Sequence, residues 1–272
     1  MKYKQIKLLI TALCAVLIYG CTADEFQKTE KRNWQLVWSD EFDAAAGTLP
    51  DASKWTFDLG TGQDGWGNQE LQNYTNNPAN VSHDGTGNLV ITAIRSGNSF
   101  SSARIKTQGL FSQKYGRIEA SLKTPYGPGL WPAFWLLGDN IESVGWPQCG
   151  EIDIMELRGQ EPNSIAGSLH GPGYSAGNAI TKKYTLPNGR FDAAFHLFAV
   201  EWDAEKIDFF VDDFLYQRIN KTDVPGQWVY DQAFFIIFNV AVGGNYVGFP
   251  TSGTPFPQRM TIDYIRVYKE SQ

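Results

Sequence analysis

The sequence predicts an all-β protein, a sandwich of two packed antiparallel sheets. Three observations carry this prediction. Short runs that alternate apolar and polar residues recur between turn signals along most of the chain. The composition, with 27 Gly, 9 Trp, 12 Tyr and 17 Phe, suits many tight turns and large flat side chains on strands. No stretch of ten residues or more carries the 3.6-residue period of an amphipathic helix. More than a dozen short strands without helices can bury their apolar faces only sheet against sheet.

The elements follow in order. Residues 88–95 form a strand after the turn Asp84-Gly85-Thr86-Gly87. Residues 117–123 alternate cleanly, with Ile118, Ala120 and Leu122 on one face and Arg117, Glu119, Ser121 and Lys123 on the other. Strands at 198–202, 207–211 and 214–219 continue the pattern, and Asp212-Asp213 makes a tight hairpin turn between the last two. Residues 233–242 are nearly all apolar and read as a buried central strand, and 260–268 close the chain with another. Nothing between 34 and 269 resembles an interdomain linker, so residues 34–270 form one domain, within the size range of a single β-sandwich.

The N-terminus reads as an export signal. Lys2, Lys4 and Lys7 precede an apolar run from Leu8 to Tyr19, broken only by Thr11 and too short for a permanent span. Residues 1–20 are therefore a signal peptide. The sequence Leu17-Ile18-Tyr19-Gly20-Cys21 resembles a bacterial lipobox, in which the cysteine is lipidated, and 21–33 form a polar tether. Asp24 and Glu25 resemble the export signal of some surface lipoproteins. The expected location is the outer membrane, facing the cell surface, with secretion or a periplasmic location as alternatives. With Cys14 in the leader and Cys21 carrying lipid, only Cys149 remains, which excludes an internal disulfide or a thiolate zinc site. Cys149 reads as a small buried residue. The formal charge of −6, more negative once the leader lysines leave, argues against nucleic acid as a partner.

The segment Glu151-Ile152-Asp153-Ile154-Met155-Glu156 gathers three carboxylates in six residues. On a regular strand Glu151 and Asp153 share a face and Glu156 points away. One extra residue, a β-bulge, reverses the parity and brings all three together. Clustered carboxylates repel and raise one another's pKa, so such a strand is better explained by chemistry than by folding. Paired carboxylates suit glycoside hydrolysis. Glu151 and Glu156 would stand roughly 13 Å apart at Cα, whereas a retaining glycosidase needs its carboxyl groups about 5–5.5 Å apart. Side chains leaning together across a concave sheet close that gap. The alternative is a solvated acidic strand beside a surface turn.

This hexapeptide resembles the signature of glycoside hydrolase family 16, and the likeness extends further. Residues 131–138 (Trp-Pro-Ala-Phe-Trp-Leu-Leu-Gly), 66–74 (Trp-Gly-Asn-Gln-Glu-Leu-Gln-Asn-Tyr), 168–174, 195–202 and 262–268 are similar to family segments in the same order, covering nearly all of 34–268. The resemblance implies a β-jelly roll with a concave groove and double displacement with retention. Glu151 would be the nucleophile, ionised at working pH, and Glu156 the general acid/base. Asp153 would hydrogen-bond the nucleophile. Trp131 and Trp135, four apart and on one face, are the expected sugar platforms, with core packing as the alternative. Trp66, Trp146, Asn68, His170 and Asn245 are further groove candidates, or else structural groups satisfied locally. The resemblance also implies a structural calcium held by Asp263 and the backbone of Glu41, with a salt-bridged or merely exposed Asp263 as the alternative, and no cofactor for catalysis.

The extra Met155 resembles the laminarinase-like branch of the family. The implied substrate is β-1,3-glucan, mixed-linkage β-1,3-1,4-glucan or both, cut internally by a lipid-anchored monomer. A catalytically silent glucan-binding lipoprotein and a relative acting on marine galactans are the alternatives.

Overall fold

The computed structural model describes residues 31–271. The signal peptide, Cys21 and most of the expected tether lie outside the described residues. Two sheets dominate, and the longest α-helical segment among the described residues, Ile141–Val144, is a single turn.

In chain order the strands are β1 (Trp34–Asp40), β2 (Thr56–Asp58), β3 (Gln72–Tyr74), β4 (Val81–His83), β5 (Leu89–Ser96) and β6 (Ser99–Ser102). Then come β7 (Arg104–Lys106), β8 (Gly116–Lys123), β9 (Leu130–Gly138), β10 (Glu151–Leu157), β11 (Ser164–His170) and β12 (Ile180–Thr185). The last five are β13 (His196–Trp202), β14 (Lys206–Val211), β15 (Phe214–Asn220), β16 (Phe234–Val242) and β17 (Gln258–Glu270). The ten-stranded sheet runs β15-β14-β13-β8-β17-β5-β6-β3, with β1 on β17 and β4 on β5. The seven-stranded sheet runs β12-β11-β10-β9-β16-β7-β2. Pairing is antiparallel except between β3 and β6.

Alternation explains the core. Ile118, Ala120 and Leu122 of β8 point inward beside Phe198, Val200 and Trp202 of β13 and are fully buried. Facing them are Phe234, Ile236, Phe238, Val240 and Val242 of β16, and Phe134 stacks on Phe238 at 4.6 Å between centroids. The polar face of β8 is also covered, because Arg117 binds Glu119, Glu201 and Asp213 across three strands. The Asp212-Asp213 turn is confirmed: both residues adopt positive φ, 50° and 61°, as a two-residue hairpin matched to strand twist requires. Every residue of β16 is buried, since both of its faces are used. One face fills the core and the other, through Phe235, Ile237, Asn239 and Ala241, forms part of the outer floor of the same sheet, one strand away from the acidic strand β10.

Candidate active site

The acidic strand β10 lies between β9 and β11, and its register slips once. Asp153 stands opposite Trp135, yet Met155 stands opposite Phe134, so Ile154 is the inserted residue on that side. Against β11, Asp153 faces Ser168 and Glu156 faces Ala166, with two β10 residues spanning the single Gly167 between them. The bulge puts Glu151, Asp153 and Glu156 on one face together with Trp131, Ala133 and Trp135 of β9 and His170 of β11. That is the expected parity reversal. Trp131 and Trp135 share this face because β9 pairs with β16 without interruption from Leu130 to Gly138.

Each glutamate receives an indole N–H. Trp131 Nε1 donates to Glu156 Oε1 at 2.9 Å, and Trp146 Nε1 donates to Glu151 Oε2 at 2.9 Å. Trp146 comes from the loop before β10 and is 43 % exposed, so a ring reachable from solvent touches the acid through its edge. His170 Nδ1 accepts the Ala176 N–H at 3.1 Å, which leaves Nε2 as the proton-bearing nitrogen. That atom lies 3.0 Å from Asp153 Oδ2 and 3.8 Å from Glu151 Oε1. The approach to Asp153 is close but poorly aligned, and Oδ2 has no well-directed donor.

Burial and mutual repulsion push all three acids up. Burial and then the Asp153 charge raise Glu151 to about 8, opposed by His170 and the Trp146 N–H. Asp153 is raised to about 7 by burial, and its hydrogen bond with Glu151 pulls the other way. Glu156 is held well above the usual carboxylate range by burial, then by Asp153 and Glu151. Burial thus favours a proton on Glu156. Glu151 departs from the expectation of a simply ionised group: burial and the neighbouring Asp153 charge favour a proton on it, because a low-dielectric site resists holding all three charges.

The donor atoms of Glu151, Asp153 and His170 lie within 4.8 Å of one another, dimensions that would also admit a metal ion. A metal on Nε2 of a neutral imidazole would need the proton on Nδ1, where Ala176 N–H already donates. The set therefore disfavours metal binding.

The remaining candidates divide. Trp135 donates to Asn239 Oδ1 at 2.8 Å, and the Arg104 guanidinium covers its ring at 4.6 Å. The same guanidinium lies 4.9 Å from the Trp66 ring, so both indoles are tied to one cation. Trp66 holds φ 56° and buries an unpartnered Nε1. Asn68 directs its amide to Glu70 Oε1 at 3.4 Å, while its carbonyl accepts the Asn245 N–H at 2.8 Å. This joins two loops beside Trp131, the more so as a Cβ on Gly244 would lie 3.7 Å from that ring. Asn245 is exposed there. Cys149 is fully buried and burial pushes its thiol up to about 11, which leaves no role for a thiolate.

Glu41 and Asp263 lie elsewhere, near β1 and on β17. Glu41 spends its carboxylate on Arg266 at 2.8 Å, leaving only its main-chain oxygen. Asp263 occupies a bulge in β17, and its carboxylate has no ion-pair or hydrogen-bond partner among the described residues.

Sequence reasoning missed the support beneath the floor. Asn239 Nδ2 donates to Tyr74 OH at 3.1 Å, Tyr74 OH reaches Glu70 Oε2 at 3.4 Å, and Gln72 Nε2 donates to Glu70 Oε2 at 2.6 Å. Trp135 is thereby linked through buried polar groups to the loop that carries Asn68. The available signal was Asn239 itself, a lone amide in an apolar strand that must find a partner.

Comparison with known proteins agrees with this geometry. The profile of Glycosyl hydrolases family 16 matches residues 68–266. A β-glucanase from Rhodothermus marinus is 40% identical over 284 aligned positions, spanning 99% of this chain and 97% of the relative. The laminarinase catalytic domain from Thermotoga maritima MSB8 superposes with a TM-score of 0.83 at 46% identity, covering 88% of this chain and 100% of that structure. The endo-β-1,3-glucanase from Pyrococcus furiosus gives 0.83 at 43% identity, with 89% and 96% covered.

The indole contacts make a prediction. Each N–H stabilises the ionised form of its acid, so removing it must raise that acid's pKa. In carboxyl-¹³C NMR titrations, Trp131→Phe should move the Glu156 transition upward and Trp146→Phe the Glu151 transition, each by about one unit, the equivalent of one hydrogen bond to a charged group. Unmoved or lowered transitions would show that the indoles do not set these acids.

Proposed function

The chain belongs to glycosyl hydrolase family 16, and from that premise we propose an endo-acting, retaining β-glucanase that cuts β-1,3-glucan and mixed-linkage β-1,3-1,4-glucan. The observation that carries this reading is the bulged strand, with Glu151, Asp153 and Glu156 on one face and an indole N–H on each glutamate.

Glu151 attacks the anomeric carbon while Glu156 passes its proton to the departing glycosidic oxygen, and an ester between sugar and Glu151 results. Glu156, now ionised, takes a proton from water, which attacks the same carbon and releases Glu151. As positive charge develops on the sugar, the ionised form of Glu151 is favoured. His170, with its proton on Nε2, faces both Glu151 and Asp153 and lowers the cost of the charge on Glu151. Trp131 and Trp146 combine a ring available to a sugar with an edge that steadies a catalytic carboxylate. Catalysis requires no cofactor.

Similarity to a laminarinase and an endo-β-1,3-glucanase supports β-1,3-linkages as the principal target. Both glutamates are present, which disfavours a silent glucan-binding protein. The reading extends to a monomer anchored by lipid at Cys21 in the outer membrane and facing outward, and to a structural calcium held by Asp263 with the main-chain oxygen of Glu41.

Three experiments test these points. Glu151→Gln should keep glucan binding and lose nearly all turnover of laminarin and barley mixed-linkage glucan. Undiminished hydrolysis by that variant would remove Glu151 from the nucleophile role, and failure of the unmodified chain on both polymers would sink the substrate assignment. Cys21→Ala should shift the protein from the membrane fraction to the soluble fraction; unchanged fractionation would refute the lipid anchor. Calcium should raise the melting temperature of the unmodified chain, with the gain abolished in Asp263→Ala. An equal rise in both would place any bound calcium elsewhere.

A further inference from the structure

A groove of about 780 Å³ opens on the outward face of the ten-stranded sheet, across the sandwich from the catalytic acids. Its floor spans four adjacent strands. Ser82 of β4, Val90 of β5, Thr261 of β17 and Lys123 of β8 stand in one cross-strand row, and Thr92 pairs with Arg259 in the next outward row. The volume falls within the 300–1,000 Å³ range typical of ligand pockets.

Three cations line this groove: Arg95, Lys123 and Arg259. Among the described residues, no carboxylate lies within ion-pair distance of any of them. Arg95 Nε donates to the Gly97 carbonyl at 2.9 Å, and Lys123 Nζ lies 5.4 Å from the ring of Phe195, itself 41 % exposed. Lys123 and Arg259 are diagonal neighbours across the β8–β17 pair, roughly 7–8 Å apart at Cα, a separation at which like charges repel. The one carboxylate in the lining, Asp84, is occupied by its own turn through Thr86 and Asn88. In a chain with a net charge of −6, a groove whose lining carries an excess of positive charge is unlike the rest of the molecule. Between the cations stand apolar surfaces from Val90, Ile94 and Phe256 that suit the C–H faces of sugar rings.

We infer that this groove binds an acidic polysaccharide, a pyranose chain bearing carboxylate or sulfate groups, and that it works independently of the catalytic face. The anionic groups supply the missing counter-charges, and the apolar floor accepts the sugar backbone. Pro78 and Ala79 precede the lateral strand β4, and Phe195 precedes β13 beside β8, so the lining suits a single polymer strand rather than a broad flat partner. An enzyme held in this way on an acidic matrix would keep its other face free for neutral glucan.

The test is affinity electrophoresis of the full chain in native gels containing alginate, a sulfated galactan or laminarin. The unmodified protein should be retarded by an acidic polymer, and the double variant Lys123→Gln/Arg259→Gln should lose most of that retardation. Salt at about 0.5 M should abolish it by screening. Retardation by alginate alone identifies carboxylate as the recognised group, and by the galactan alone, sulfate. An unchanged melting temperature shows that the variant is folded, a control that does not depend on glucanase activity. No retardation by either acidic polymer, equal retardation of the variant, or a laminarin-dependent retardation lost in the variant would each overturn the inference.

Discussion

A single inserted residue in β10 is the constraint on which the site depends. Without the bulge that takes up Ile154, Glu156 would fall on the core face among Phe134 and Phe238, where a carboxyl could neither find a partner nor meet a substrate. With it, three carboxyls share the open face and each raises the pKa of the others. The neighbouring residues answer that cost individually: an indole N–H for Glu151, another for Glu156, and a histidine beside Asp153. None of these contacts neutralises the cluster, and the residual strain appears as protons held above their usual range.

The floor keeps this arrangement in place. Its central strand β16 is buried on both faces, so the position of Trp135 over Asn239 follows from close packing rather than from a mobile loop. The chain of polar contacts from Asn239 through Tyr74 to Glu70 then connects the floor with the loop around Asn68, and Arg104 joins Trp66 to Trp135 from the other side. The groove candidates Trp66, Asn68 and Trp135 are thus held by groups outside the candidate set, the support that preorganised catalysis requires.

Much of the fold could be read from local pattern. Alternation in residues 117–123 identified the inward face of β8, and the apolar run at 233–242 identified the central strand, because burial acts directly on side-chain identity. The bulge was legible through parity, since three acids in six residues make little sense on a regular strand. What escaped involved partners distant in sequence. Nothing near Trp135 announces that Arg104 will cover its ring, and nothing near Trp131 shows that its edge will meet Glu156 across the sheet. The same holds for the groove on the outer sheet, where Arg95, Lys123 and Arg259 converge only after three strands have paired. The raised pKa of Glu151 was hidden too, because it depends on how deeply the strand is buried.

The raised pKa of Glu151 connects the burial of the site to its chemistry. Glu151 leaves 18% of its side chain open, so water still reaches the proposed nucleophile before substrate arrives. A neutral sugar stacked over the acids removes that water and strengthens every electrostatic interaction beneath it. Desolvation by the ligand therefore pushes Glu156 further toward its protonated form, the form its proposed role of general acid needs. The same push would disable Glu151, were it not for the positive charge that grows on the sugar as the bond breaks. In the proposed mechanism one carboxyl is thus prepared by the arrival of substrate and the other by the approach to the transition state, so that two chemically identical side chains on one strand take opposite roles.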